Sequence, residues 1–298
     1  ALRLAELMHE IGFPDGVLNV VTGDGPATGA PLAAHLDVDK ITFTGENATG
    51  QKILEASKAN MKRLSLELGG KSPSLVFEDA DLDAAIEGTF GAVYWNQGQC
   101  CIAGARVFVH SSVYDRFLEG LAARVAAVRL GPGLDEATTM GPLVSAEQRE
   151  RVTDLIASGL EQGARAVVGG ALETSGLGEG YFVPPTLFTD VTADMTIMQR
   201  EIFGPVGMVG RFDTEEEAVE HANATPFGLA SGVWSLNVKR AHRVAAQIRA
   251  GVVWVNAYGM FDVAVPYGGF KASGYGKELG REALDPYLQT KTVWVDLS

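Results

Sequence analysis

The chain has 298 residues, of which 46% are hydrophobic and 20% are charged, a composition that excludes an intrinsically disordered protein and predicts about two globular domains. Asp and Glu total 37 against 24 for Lys and Arg, which gives a formal net charge of −13. Because so acidic a surface repels phosphate groups and anionic lipids, we expect neither a nucleic acid nor a membrane as a partner.

In chain order, the first block of the sequence alternates helix-like and strand-like segments. Apolar residues at helical or strand spacing predict each segment. The segments are a helix over 2–11, a strand over 17–21, a helix over 27–36, a strand over 40–43, a helix over 46–59 and a strand over 63–68. The glycine pair Gly69-Gly70 then marks a predicted domain boundary, which we place between residues 70 and 71. This block is short for a complete nucleotide-binding domain, which needs two βαβ halves.

The same alternation continues to the end of the chain and predicts an α/β fold with a mainly parallel sheet. The predicted segments are strand 74–77, helix 81–95, strand 106–110, helix 114–128, helix 147–162, strand 166–168, loop 176–180, strand 206–212, helix 215–222, strand 230–234, helix 238–250 and strand 251–255. Residues 290–297 alternate apolar and polar side chains, which predicts an edge strand or a strand between subunits.

The two cysteines, Cys100 and Cys101, are adjacent and therefore close no useful loop as a disulfide. They favour a reducing compartment, and without a signal peptide at the start we expect a cytoplasmic protein. The first residue is Ala1 rather than Met, and the helical spacing begins at once. This start suggests a processed or truncated chain.

Three patterns resemble known ligand sites without matching them. The glycines of GENATG at 45–50 follow a predicted strand, which suits a phosphate at a helix start, but Gln51 and Lys52 replace the Lys and Ser/Thr of a P-loop. Acids at 79, 81 and 83 begin like a calcium loop but lack its glycine, so they indicate a helix start. The histidines lack metal-ligand spacing, and we predict no metal site.

The loop around the cysteines has a different character. Residues 96–104, NQGQCCIAG, are polar and glycine-rich and lie between a predicted helix and a predicted strand. Cysteines are often small buried hydrophobic residues, but a loop at such a junction is where reactive side chains are displayed. The loop therefore favours a reactive thiol.

A series of motifs in the right order resembles the NAD(P)-dependent aldehyde dehydrogenase superfamily over essentially the whole chain. The motifs are FTGENATG at 43–50, LELGGKSP at 66–73, GQCCIAGAR at 98–106, EIFGPV at 201–206, NATPFGLA at 223–230 and PYGGFKASG at 266–274. The resemblance implies a parallel-sheet catalytic domain of aldehyde dehydrogenase type plus a partial Rossmann-like cofactor domain. The implied divisions are a partial nucleotide-binding domain at 1–70, a catalytic domain at 71–284 and an oligomerisation strand at 285–298.

The resemblance also implies an activity, the oxidation of a small-molecule aldehyde to a carboxylic acid with NAD or NADP. Cys101 matches the nucleophile that forms a thiohemiacetal and then a thioester, while Cys100 packs or modulates it. Glu67 matches the general base, for which partial burial would raise the pKa. A homo-oligomer, a dimer or a tetramer, is implied as well.

The remaining roles concern the cofactor and the substrate. The resemblance assigns cofactor contacts to Gly45, Glu46, Gly50, Leu68, Glu201 and Phe203. Glu201 would bind the nicotinamide ribose, Phe203 would pack against the nicotinamide ring, and the two glycines would let the backbone approach the pyrophosphate. Glu278 would join a proton path, and Trp95 and Tyr258 either line the aldehyde channel or belong to the core.

The chain departs from the family pattern in three respects. Glu46 stands where Ser is common, so its carboxylate must point away from a pyrophosphate, and Ala105 stands where Ser is usual. The long N-terminal region of the family, with an oxyanion-binding asparagine and a cofactor-binding lysine, has no counterpart here. Two alternatives therefore stay open: a catalytically silent fold module, and a cofactor-independent thiol esterase.

Overall fold

The computed structural model describes residues 1–171, 177 and 179–298, and its helices agree closely with the predicted ones. The helices are α1 (Leu2–Glu10), α2 (Ala30–Ala34), α3 (Asn47–Ser57), α4 (Leu82–Tyr94), α5 (Tyr114–Ala126), α6 (Ala146–Glu161), α7 (Thr196–Gln199), α8 (Glu215–Asn223) and α9 (Val238–Gln247). A π-helical turn at Gly25–Gly29 precedes α2, and 3₁₀ turns lie at Trp95–Gly98, Arg281–Ala283 and Asp285–Tyr287.

The strands of the described residues form two main sheets and one short pair. They are β1 (Lys40–Thr44), β2 (Arg63–Glu67), β3 (Pro73–Val76), β4 (Arg106–His110), β5 (Arg165–Val168), β6 (Thr186–Thr189), β7 (Val206–Phe212), β8 (Phe227–Gly228), β9 (Ala230–Trp234), β10 (Val252–Val255), β11 (Phe270–Lys271) and β12 (Gly274–Tyr275). The short pair is β8 with β11.

The larger sheet has the strand order β10-β9-β3-β4-β7-β6-β5, and every pairing except the antiparallel β5–β6 pairing is parallel. Its strands send alternate side chains to two apolar layers, as the two-residue period of a strand requires. Phe108 joins the layer that includes α6, α8 and α9, whereas Val107 and Val109 join the layer that includes α4 and α5. This arrangement confirms the predicted α/β class and the mainly parallel sheet.

The smaller sheet joins segments from the two ends of the sequence. Strand β1 pairs with β2 in parallel, and β12 pairs with β2 antiparallel, with Gly274 opposite Glu67. The C-terminal motif therefore lies directly beside the end of β2. The division at residues 70 and 71 stays a prediction, with β12 reaching across it.

One predicted strand is wrong for this chain. Residues 17–21 form turns and irregular backbone with exposed Val17 and Val21, because no neighbouring strand of the described residues pairs with them. Residues 290–297 are exposed and pair with no strand of the described residues, so they form no edge strand here, and the predicted pairing between subunits stays a prediction. The predicted loop at 176–180 lies partly outside the described residues.

Side-chain caps explain where several helices begin. Asp81 accepts a hydrogen bond from the Ala84 N–H at the start of α4, as Ser145 and Thr214 do for α6 and α8. The acids at 79–83 thus belong to a helix start and its surroundings. No helix in the described part of the chain is both long and apolar enough to cross a bilayer.

Candidate functional site

Glu67 is the last residue of β2, and the fold buries its side chain. Only 5% of the residue is exposed, and its Oε2 atom has no hydrogen-bond partner among the described residues. Burial and the nearby Glu278 carboxylate raise the pKa of Glu67 to about 7, against the opposing charge of Lys277. A carboxyl group with this pKa can both accept and release a proton near neutral pH.

The glycines after Glu67 let two distant segments approach the backbone. The Gly70 N–H donates a hydrogen bond to Glu201 Oε1 over 3.1 Å. A Cβ atom on Gly69 would lie 2.1 Å from Glu201 Oε2, and one on Gly70 would lie 2.2 Å from the Cys101 carbonyl oxygen. The approach at Gly70 requires glycine because it faces backbone, and this pair brings residues 66–73, the cysteine loop and Glu201 together.

The cysteine loop begins with an unusual turn of backbone. Asn96, Gln97 and Gly98 have φ values of 50°, 58° and 66°, in the left-handed region that non-glycine residues rarely adopt. The following residues, Cys100 and Cys101, are both half-buried. The loop thus displays both thiols at a junction between a helix and a strand, as the sequence predicts.

The two thiols share a hydrogen bond and titrate as a pair. The hydrogen bond with Cys101 lowers the pKa of Cys100 to about 7. The same hydrogen bond, burial and the Cys100 charge raise the pKa of Cys101 above its usual range. The pair therefore accepts one negative charge near neutral pH and a second only with difficulty.

A cavity of about 480 Å³ brings most of the predicted site residues together. Its volume suits a small-molecule or cofactor ligand. Its lining includes both predicted catalytic residues, Cys101 and Glu67, and five of the six predicted cofactor contacts: Gly45, Glu46, Leu68, Glu201 and Phe203. Gly50 does not line it, because this glycine is buried in α3 with its Cβ position 2.7 Å from the Leu68 side chain.

Glu46 points toward a cation. Its carboxylate accepts a hydrogen bond of 2.8 Å from Arg151 of α6, which lines the same cavity. The acid that stands in place of the usual serine is thus paired. An anionic ligand in the cavity would therefore meet the Glu46–Arg151 ion pair rather than an unpaired Glu46 carboxylate.

A second cavity of about 420 Å³ shares Cys100 with the first. Trp95, Tyr258 and Phe261 line it together with Cys100 and Ile102. The Tyr258 hydroxyl donates a hydrogen bond of 2.6 Å to the Ile102 carbonyl, and 69% of Trp95 is exposed. The structure thus places both predicted aromatic residues beside the cysteine loop.

The comparisons with known proteins show the family of the chain. The model of the aldehyde dehydrogenase family matches residues 1–293. The chain belongs to the aldehyde dehydrogenase family. It is 46% identical to a betaine aldehyde dehydrogenase of Rhizobium leguminosarum over 297 residues, covering all of this chain and 61% of that protein. It is 45% identical to aldehyde dehydrogenase 1A1 of Mesocricetus auratus, of which it covers 59%.

A solved aldehyde dehydrogenase has the same fold over the whole chain. The NAD⁺ complex of the Bacillus cereus enzyme superposes with a TM-score of 0.95 at 49% identity, covering 100% of this chain and 60% of that one. This aldehyde dehydrogenase chain therefore spans about three fifths of the length of these relatives.

Two residues of α6 complete the cavity of this aldehyde dehydrogenase chain, and sequence reasoning missed both. The Gln148 amide donates hydrogen bonds to the carbonyls of Ile202 (3.1 Å) and Phe203 (2.8 Å), where Phe203 has a φ of 55°. Arg151 holds Glu46. Their spacing of three residues on one helix face was the only local signal.

The C-terminal motif at 266–274 holds Gly69, two residues after Glu67, in place. The Ser273 hydroxyl donates a hydrogen bond of 2.7 Å to the Gly69 carbonyl and accepts one from the Gly228 N–H. Asn47 bridges the same region, accepting from the Gly69 N–H and donating to the Ala272 carbonyl. These bonds explain why a motif 200 residues away in sequence accompanies Glu67.

The close approach at Gly70 yields a first prediction. Gly70→Ala places a methyl group against the Cys101 carbonyl, so we expect the loop to shift and the free energy of unfolding to fall by about 1–3 kcal/mol. Thermal and urea unfolding measure this loss. The matched control is Gly91→Ala in α4, where nothing lies within 4 Å of the new methyl and helix propensity predicts a small gain. Equal stability of the two variants would contradict the close approach.

Proposed function

We propose that the chain supplies the nucleophile, the general base and part of the cofactor site for NAD(P)-dependent oxidation of an aldehyde to a carboxylic acid. The observation that carries this proposal is the cavity that Cys101, Glu67, Glu201 and Phe203 line together. Membership of the aldehyde dehydrogenase family supports it.

The cavity residues fit a nicotinamide cofactor, NAD or NADP. Glu201 offers a carboxylate for paired ribose hydroxyls, and the Gly70 N–H keeps that carboxylate in place over 3.1 Å. Phe203 offers an aromatic face near the cysteine loop. The bound cofactor would supply the hydride acceptor that the oxidation requires. The NAD⁺ complex of the Bacillus cereus relative supports this assignment.

Cys101 would act as the nucleophile. Its thiolate sulfur attacks the carbonyl carbon of the aldehyde, forming a carbon–sulfur bond and placing a negative charge on the former carbonyl oxygen. Among the described residues, the Cys101 N–H donates to no acceptor, so it can donate to this oxyanion. After the hydride has left the same carbon, the product is a thioester on Cys101.

Glu67 would act as the base that resolves the thioester. Its carboxylate accepts a proton from a water molecule while the water oxygen bonds to the thioester carbon. The carbon–sulfur bond then breaks, releasing the carboxylic acid and restoring the Cys101 thiolate. The pKa of Glu67, about 7, suits this proton transfer at neutral pH.

The second cavity would receive the organic part of the aldehyde. Cys100 lines both cavities, so the aromatic second cavity adjoins the site of the thiols. Trp95, Tyr258 and Phe261 suit a small aldehyde with apolar surface. The betaine aldehyde dehydrogenases among the relatives support a small-molecule aldehyde as substrate.

We also propose a homo-oligomer in the reducing cytoplasm. The terminal segment 285–298 exposes Val293, Trp294, Val295 and Leu297, with Trp294 exposed to 89%. An exposed apolar segment of this kind suits pairing with another subunit. The free cysteines suit a reducing compartment.

The direct test is to titrate the purified chain with NAD and NADP and to follow reduction of the nicotinamide ring by absorbance with a panel of simple aldehydes. Reduction that requires both aldehyde and Cys101 is the expected result. Hydrolysis of an activated ester without cofactor, and no reduction, would instead favour the thiol esterase. Failure of aldehyde to protect Cys101 from alkylation, with neither activity, would favour a silent fold module.

Replacing Glu201 tests the cofactor site. Glu201→Gln keeps the shape of the side chain but removes the charged acceptor for the ribose hydroxyls, so we expect NAD binding to weaken by roughly 10- to 100-fold. Isothermal titration calorimetry measures the dissociation constant. Glu119→Gln on the exposed face of α5 is the matched control and should leave it unchanged. Equal affinities for the two variants would remove Glu201 from the cofactor site.

A further inference from the structure

The hydroxyl of Tyr267 contacts the sulfur of Cys101, with 3.8 Å between the two atoms. Sequence reasoning placed Tyr267 in the C-terminal motif without giving it a role. A phenol that is hydrogen-bonded to the reacting sulfur is a group that can stabilise negative charge on that sulfur.

The adjacent thiols present a choice of nucleophile. Both Cys100 and Cys101 line the main cavity, and the pair carries one negative charge readily. Cys100 attracts this charge through hydrogen bonds from Cys101 and from the Ile102 N–H. These hydrogen bonds favour Cys100 as the anion, and of the groups that act on Cys101 only the Tyr267 hydrogen bond lowers its pKa.

We propose that the Tyr267 hydroxyl donates a hydrogen bond to the Cys101 sulfur and thereby stabilises the Cys101 thiolate, which favours Cys101 over Cys100 as the nucleophile. The inference rests on the proposed function in one respect, the identity of Cys101 as nucleophile. Tyr267 acts on the reacting atom itself and is in that sense a catalytic residue.

The surroundings of Tyr267 hold its hydroxyl in position. Its backbone N–H donates to the Glu278 carbonyl over 2.6 Å, and the Glu278 N–H donates back over 2.7 Å. Its ring packs edge-on against Phe261, with 5.4 Å between ring centroids. Because backbone and ring are fixed independently of the hydroxyl, Tyr267→Phe removes the hydrogen bond with little other change.

The charged groups around the pair make this hydrogen bond important. Glu201 and Glu67 face the site, and the Glu201 charge raises the pKa of both thiols. Lys277 lies close enough to lower the pKa of Glu67 and offsets part of this negative potential. Burial raises the pKa of Tyr267 above its usual range, so the phenol stays protonated and remains a donor. The Tyr267 hydrogen bond opposes the rise in the pKa of Cys101.

The experiment is site-resolved alkylation. The chain is treated with less than one equivalent of iodoacetamide at pH 7.5, and fragmentation mass spectrometry counts the label on each cysteine. We expect Cys101 to carry most of the label in the unmodified chain. In Tyr267→Phe, the ratio of label on Cys101 to label on Cys100 should fall roughly tenfold, the effect of one hydrogen bond to a charged group.

Two further variants make the result decisive. Tyr94→Phe is the matched control, since Tyr94 is a buried tyrosine whose hydroxyl donates to the Thr186 carbonyl, 2.9 Å away, and it should leave the ratio unchanged. With Cys100→Ser as background, Tyr267→Phe should move the pH midpoint of Cys101 alkylation upward by about one unit.

These outcomes separate the inference from the proposed function, because alkylation needs neither aldehyde nor cofactor. A chain that reduces no NAD(P) but shows the shift in label keeps the role of Tyr267 and overturns the activity. An unchanged ratio and midpoint in a Tyr267→Phe variant with unaltered circular dichroism, or dominant labelling of Cys100 in the unmodified chain, overturns the inference.

Discussion

Cys101→Ser is expected to lower aldehyde-dependent NAD(P) reduction by roughly 10³-fold or more, because a serine hydroxyl remains protonated and is a far weaker nucleophile at neutral pH. Cys100→Ser should keep the rate within about tenfold. It leaves the Cys101 sulfur and its contact with Tyr267 intact. Steady-state rates at saturating aldehyde and cofactor measure both effects.

This pair of variants is its own matched control, since the two residues are neighbours in one loop and are both half-buried. Circular dichroism and thermal unfolding establish that each variant folds. An equal loss of rate in the two variants, or a larger loss with Cys100→Ser, would contradict the assignment of Cys101.

Glu67→Gln is the second change with a large expected effect, a loss of turnover of roughly 10²–10⁴-fold. The amide cannot accept a proton from water, so thioester breakdown should slow more than thioester formation. Pre-steady-state kinetics should show an undiminished burst of reduced cofactor followed by lost turnover. An unchanged steady-state rate would remove Glu67 from the mechanism.

The pH dependence tests the same residue by a different route. Because the base works when deprotonated and the pKa of Glu67 is about 7, turnover should rise with pH through about 7. The rise should vanish in Glu67→Gln. Glu278→Gln removes a charge that raises the pKa of Glu67, so it should move the rise to lower pH. A rise that stays in place in both variants would belong to another group.

The pH dependence of folding stability that comes from Glu67 should have the opposite sign to the pH dependence of turnover. Burial raises the pKa of Glu67 from 4.5 to about 7, so the folded state holds the proton more tightly than the unfolded state. The contribution of Glu67 to stability is therefore complete below pH 4.5 and is lost as the pH rises through about 7. The unfolding midpoint of Glu67→Gln at pH 8 should equal or exceed that of the unmodified chain, which separates lost catalysis from lost folding.

Several features could be predicted from the sequence because their causes are local. The alternation of helical and strand spacing fixes the α/β class, since each segment must bury one face whatever its neighbours are. The paired glycines and the polar cysteine loop mark where Glu67 and Cys101 lie in the chain, and the family motifs name their roles. The bounds of β4, β7 and β9 were predictable for the same reason, whereas β6 was not predicted.

Other features depend on partners distant in sequence. Residues 17–21 have strand-like side chains but no strand to pair with, and Gly50 packs on Leu68 rather than lining the cavity. Gln148 and Tyr267 each acquire a role through a neighbour more than 50 residues away, Phe203 and Cys101 respectively.

The sequence by itself determined the fold class, the family and the order of the reactive groups, because patterns of residues along the chain encode them. Only the tertiary structure decided which side chains share one cavity, how Glu46 is paired and which hydroxyl touches the Cys101 sulfur. Those properties depend on a few ångströms between segments that chain folding brings together, and distances of that kind have no counterpart in local sequence.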